Sequence, residues 1–134
     1  MKKFENYKSN LAILAQAHKE YLDNEFIISG IINKFYIQFE LAWKVLKELL
    51  RYEGDRVANT GSPREILKAS YAIYEFIDEE IWLAMLKDRN SMTHVYDGNE
   101  AKELVKRILD KYIPTFCLLQ GEIEKRYQDI IDSL

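Results

Sequence analysis

The stretch IISGIINKFYIQFELAWKVLKELLRYEG, residues 27–54, decides how the rest of the chain is read. Its apolar residues Ile28, Ile31, Ile32, Phe35, Phe39, Ala42, Trp43, Leu46, Leu49 and Leu50 recur at three- and four-residue spacing, the period of one face of an α-helix. Gly54 marks the stop, since glycine enters the left-handed region that ends helices without steric cost. Roughly 25 helical residues rising 1.5 Å each span about 40 Å. Ile37, Leu41 and Val45 add a second apolar row on a flank of this helix, so its apolar arc is wider than one neighbour requires. Either a second helix of the same chain or a helix-on-helix dimer interface would cover that row.

Outward from this helix the same period repeats. Between Phe4 and Leu22, Leu11, Leu14, Ala15, His18 and Leu22 form a stripe that DNE, residues 23–25, terminates. On the other side, GDRVANTGSPREI concentrates the turn formers Gly54, Asn59, Gly61 and Pro63. It closes on a helix start in which Ser62 caps, Pro63 takes the first helical position and Glu65 completes a capping box. That helix is expected to run to about Glu75. Asp78 caps another, with Glu79 and Glu80 in the first turn, where the helix dipole favours negative charge. A last helix is predicted from near Asn99, with the stripe Ala101, Leu104, Val105, Ile108, Tyr112, Phe116, Leu119 and Ile123, and Pro114 should kink it. No β-period alternation persists and no internal repeat is visible. The expected architecture is all-α, an up-down bundle of about five helices in a single domain, residues 1–134.

Composition narrows the function. A chain of 134 residues with 48% hydrophobic and 31% charged residues can build a core and is neither disordered nor fibrous. Its net charge of −3 excludes a protein that coats nucleic acid through a broadly basic face, so any such contact must be local. The lone Cys117 reads as a buried structural thiol in a reducing compartment. One thiol without clustered histidines makes no metal site, and no cofactor is expected. No secretory leader and no run of ~20 apolar residues appear, so a cytoplasmic protein without a membrane span is expected.

One stretch departs from the scaffold: DRNSMTHVY, residues 88–96. In the helix begun by Asp78 the apolar face is Trp82, Met85 and Leu86, and Arg89 stands next on it, where a guanidinium must be paired or face a cleft. Arg89 could snorkel out to solvent, or a carboxylate such as Asp88 or Glu40 would supply the pairing. On an unbroken helix, Arg89 and His94 would lie some 140° apart at about 100° per residue. They reach one substrate only if the helix breaks around NSMT or if two chains contribute across a two-fold axis. Arginine, histidine and the amide of Asn90 suit RNA cleavage by the ribose 2′-hydroxyl: histidine moves a proton at neutral pH and arginine braces the phosphorane charge. One His94 per chain supplies one of the two proton-transfer groups, leaving a symmetry mate or His18 for the other. Lys87 offers a weak further contact to the RNA. Lys106, Arg107 and Lys111 are read as a solvated helix face.

RNSMTHVY, with arginine, four residues, histidine, one residue and tyrosine, resembles the signature of the HEPN superfamily. FELAWKVLKELLRYEG, SPREILKAS and WLAMLKDRNSMTHVYD are similar in order and spacing to its small members paired with a minimal nucleotidyltransferase, so the resemblance covers nearly the whole chain. It implies a homodimer with both motifs in one cleft and the toxin of a two-gene toxin–antitoxin module, a metal-independent endoribonuclease. Arg89 and His94 would be the catalytic pair, with Asn90 beside them. Tyr96 matches the tyrosine that the partner nucleotidyltransferase modifies with AMP, adding bulk and negative charge where an RNA phosphate would sit. Two rival readings are a non-catalytic nucleotide- or substrate-binding subunit of that nucleotidyltransferase and a purely structural dimerisation module. The second leaves Arg89 unexplained.

Overall fold

The computed structural model describes residues 1–91 and 97–134. Every regular element among them is helical: α1 (Lys2–Leu14), α2 (Glu25–Tyr52), α3 (Val57–Thr60), α4 (Pro63–Ile73), α5 (Glu79–Asn90), α6 (Gly98–Arg107) and α7 (Ile113–Tyr127). A π-helical turn, Ile108–Tyr112, joins α6 to α7. The last predicted helix is therefore one helical path with a π turn placed just before Pro114. Widening the turn accommodates a residue that cannot donate to the preceding ladder.

α2 is the central element, and α1, α3, α4, α5 and α6 all pack on it. Its start is fixed by Asn24, whose side chain accepts from the amides of Phe26 and Ile27. At its end Gly54 has φ +83°, and the Asp55 and Gly54 amides donate to the Leu50 and Arg51 carbonyls. This is a Schellman closure, which only a residue at ease in the left-handed region forms cheaply. Ser62 and Glu65 make the reciprocal capping box, with Pro63 opening α4. The Asp78 carboxylate accepts from the Ile81 amide to start α5.

The core is aromatic at its centre. Phe35 stacks on Tyr112 at 5.3 Å, Trp82 meets Phe116 edge-on at 5.9 Å, and Phe39 lies 6.4 Å from Trp82. A buried polar seam joins α1, α2 and α7. Asn10 donates to Gln38 Oε1 and to the Lys34 carbonyl, Gln38 donates to the Tyr7 carbonyl, and the Tyr7 hydroxyl donates to the Phe116 carbonyl. Each polar group is thereby satisfied, which burial demands.

Several expectations are corrected. α1 ends at Leu14, and His18 is exposed on a one-turn 3₁₀ helix, Ala17–Lys19, whose inward residue is Ala17. α4 stops at Ile73, because Tyr74 turns extended and points inward, its hydroxyl 2.7 Å from that of Tyr127. In α2 the buried arc takes in Val45 and Gln38, whereas Trp43 is only half-buried, its indole N–H donating to Glu40. Packing on several sides of α2 rotates and widens the inward arc. Cys117 is exposed rather than buried: α7 turns Phe116, Leu119 and Ile123 inward and leaves Cys117 and Leu118 outside. Of the flanking row, Val45 is covered within the chain, Leu41 half-buried and Ile37 exposed. No described helix is long and apolar enough to cross a membrane.

Candidate functional site

α5 ends where the motif begins. Asn90 is its last residue, and Ser91 takes an extended conformation, φ −83° and ψ 129°. The helix therefore breaks at the start of NSMT, as one of the two expected routes requires. His94 and Tyr96 lie outside the described residues, as do Met92, Thr93 and Val95. The Asp97 carboxylate accepts from the Asn99 and Glu100 amides and starts α6.

Arg89 has the half-buried environment that its place on the apolar face foretold. Its side chain is 31% exposed and forms an ion pair with Glu40 of α2 through Nη2, while Nη1 donates to Asn90 Oδ1 at 3.0 Å. Glu40 also accepts from the Trp43 indole at 3.2 Å and lies 3.9 Å from Lys44. A guanidinium has five N–H donors in a fixed plane, so two such contacts hold its orientation and leave donors for an anion.

Asp88 is turned the other way. Arg107 of α6 donates to it in a fork, Nε and Nη2 each at 2.9 Å, and the Tyr112 hydroxyl donates at 2.5 Å. Burial and the adjoining carboxylate hold the Tyr112 phenol well above its ordinary pKa, and the bond to Asp88 raises that of Arg107. Arg107 is thus a bracing residue rather than part of a solvated face. Lys106 and Lys111 are exposed. Neighbouring residues of α5 therefore divide the work: Asp88 ties the helix to α6 and the π turn, and Arg89 ties it to α2.

Two cavities adjoin this end of α5. One, of about 330 Å³, is lined by Ser62, Pro63, Arg64, Leu83, Leu86, Lys87, Arg89 and Asn90. The other, of about 510 Å³, has Ala84, Lys87, Asp88, Ser91, Glu100, Arg107 and Tyr112 on its walls. Lys87 stands between them. A third cavity of about 520 Å³ lies between the starts of α2 and α6, but Asp23, Glu25 and Asp97 on its rim disfavour a polyanion. Sequence reasoning missed Arg64, since a cation at the start of a helix has no signature until the fold sets it opposite α5. It also missed the Asp88–Arg107 pair, which joins different helices.

Comparison with known proteins adds two findings. A family model described as nucleotidyltransferase substrate binding protein like matches residues 2–125. A protein of Haemophilus influenzae described as probable ribonuclease HepT is 28% identical over 104 residues, which cover 76% of this chain and 70% of that protein.

Proposed function

The chain belongs to the nucleotidyltransferase substrate binding protein like family, which is HEPN-like, and from that premise we propose that it is a toxin of the HEPN/MNT type. In this reading it is a metal-independent endoribonuclease neutralised by a partner minimal nucleotidyltransferase. The observation that carries it is Arg89: a guanidinium braced by Glu40 and Asn90 at the lip of a cation-lined groove, beside a helix break. The similarity to a protein described as a probable ribonuclease supports the same activity.

The chemistry follows from the residue types. The ribose 2′-oxygen attacks the adjacent phosphorus while His94 takes its proton, and Arg89 offsets the charge on the phosphorane oxygens. The bond from phosphorus to the 5′-oxygen breaks, and a second imidazole protonates that oxygen as it leaves. The products are a 2′,3′-cyclic phosphate and a 5′-hydroxyl. With one His94 per chain, a homodimer presenting two motifs to one cleft supplies both proton-transfer groups. In the partner's reaction, the Tyr96 hydroxyl gives its proton to a base as its oxygen attacks the α-phosphorus of ATP and pyrophosphate leaves, so the tyrosine carries AMP. The added phosphate repels RNA from the site.

Purified, unmodified protein is expected to cut labelled RNA in EDTA and to arrest growth when expressed without its partner. Co-expression with the partner should add mass in units of AMP to the peptide holding Tyr96. Absence of both scission and arrest would favour the second reading, a non-catalytic substrate-binding subunit, which the family's description supports.

A further inference from the structure

The groove beside Arg89 carries more cations than cleavage chemistry needs. Leu83, Lys87 and Asn90 lie at three- and four-residue spacing on one face of α5, and the start of α4 closes the groove opposite them. Arg64 stands there in the first turn of α4, at the positive end of the helix dipole, where a cation is disfavoured by a few tenths to about 1 kcal/mol. The neighbouring Glu65 accepts from the Ser62 amide, and among the described residues it forms no ion pair with Arg64. Among the described residues, no carboxylate pairs with Arg64 or Lys87, and no acidic side chain lines the groove. In a chain with 22 acidic residues and a net charge of −3, a groove lined by Arg64, Lys87 and Arg89 with no carboxylate is out of pattern. Arg51, Arg89, Arg107 and Arg126 each meet a carboxylate. Arg56 and Arg64 have none among the described residues, and of these two only Arg64 borders the groove into which Arg89 opens.

We propose that this groove is a backbone subsite for single-stranded RNA, in which Arg64 and Lys87 hold phosphates flanking the one that Arg89 engages. The inference rests on the nuclease reading for its substrate. Leu86 and Leu83 give the groove an apolar wall for the sugar face, and the exposed Arg64 and Lys87 can approach phosphates without losing an existing partner. Affinity is then local, as an acidic protein requires. Arg64 and Lys87 act by holding RNA in register, not by moving protons.

The test is fluorescence anisotropy with a labelled 2′-O-methyl oligoribonucleotide, which lacks the attacking hydroxyl and reports binding alone. The protein is the full chain, unmodified. Each phosphate held by a cation contributes about 0.7 to the slope of log affinity against log salt for a single strand. The double variant Arg64→Ala/Lys87→Ala should therefore lower that slope by about 1.4 and weaken binding on the order of tenfold near 0.1 M salt. Lys19→Ala/Lys125→Ala, which removes the same charge elsewhere, should leave the slope in place, and Arg64→Lys/Lys87→Arg should retain it. A double variant indistinguishable from the Lys19/Lys125 control overturns the subsite. On cleavable RNA, the double variant should act through KM rather than kcat. If the wild type binds with an Arg64- and Lys87-dependent slope but never cuts, the nuclease reading fails and the groove stands. If it cuts and the double variant changes neither slope nor KM, the groove fails and the nuclease stands. If it neither binds nor cuts, both fall.

Discussion

Adjacent side chains at the end of α5 do different work, and substitutions should separate them. Asp88 keeps 13% of its side-chain surface and accepts bonds from Arg107 and Tyr112. Asp88→Asn leaves a half-buried guanidinium without its counter-charge, so a loss of about 1–3 kcal/mol is expected in urea unfolding. Arg89 and Glu40 are each about a third exposed, and Glu40 keeps Trp43 and Lys44 when Arg89 is truncated. Solvent screening therefore limits the stability loss of Arg89→Ala to roughly 1 kcal/mol or less. Equal losses in the two variants would contradict this division. A practical consequence is that activity lost in Arg89→Ala reports on chemistry, because the fold survives the change.

Among the elements, α2 was legible at once because its pattern runs for seven turns and its glycine stop is chemically unambiguous. The caps at Ser62 and Asp78 were legible for the same reason, since a side chain bonding its own helix leaves its trace in local sequence. What escaped the sequence depends on partners distant along the chain. Asn10 and Gln38 look like surface residues by type, yet they are buried because each completes the other's hydrogen bonds across α1 and α2. Asn10→Leu strands the Gln38 side-chain oxygen in the core and is expected to cost about 1–3 kcal/mol, read as a lower urea midpoint; an unchanged midpoint would refute the seam's role. Gly61 stands among the turn formers of the sequence, but its φ of −67° suits any residue. Its reason is space: a Cβ there would come within 2.5 Å of the Val57 carbonyl oxygen. Gly61→Ala should therefore shift α3 against α4 at a cost of roughly 1–3 kcal/mol by the same assay, and a neutral effect would show that the junction yields freely. The Arg89–Glu40 pair was foreseeable as one of two named options. The choice between them needed the relative rotation of α2 and α5, which no local pattern carries.

At the scale of the whole molecule, the core holds its tyrosines neutral. Burial raises the phenol pKa of Tyr7, Tyr74, Tyr112 and Tyr127, with neighbouring hydroxyls and carboxylates adding to or trimming the effect. Unfolded tyrosines ionise near 10.0, whereas the folded ones keep their protons. The folded state therefore binds more protons above that pH, and its stability, fully present below it, declines as pH rises further. Each such tyrosine contributes a slope of up to about 1.4 kcal/mol per pH unit. Urea midpoints should be steady from about pH 8 and fall beyond about pH 10, and a flat profile would contradict the burial of these phenols. The fold also places the candidate chemistry at one end of α5, between the start of α4 and the π turn. In the proposed mechanism Arg89 stabilises the transition state of RNA cleavage by the 2′-hydroxyl. The most direct measurement is single-turnover cleavage of a labelled RNA in EDTA by wild type and Arg89→Ala, with the product ends identified by mass. The expected result is 2′,3′-cyclic phosphate and 5′-hydroxyl ends, with a rate constant on the order of 10²-fold or more lower for Arg89→Ala. Undiminished cleavage by Arg89→Ala, or products ending in 3′-hydroxyl and 5′-phosphate, would contradict it.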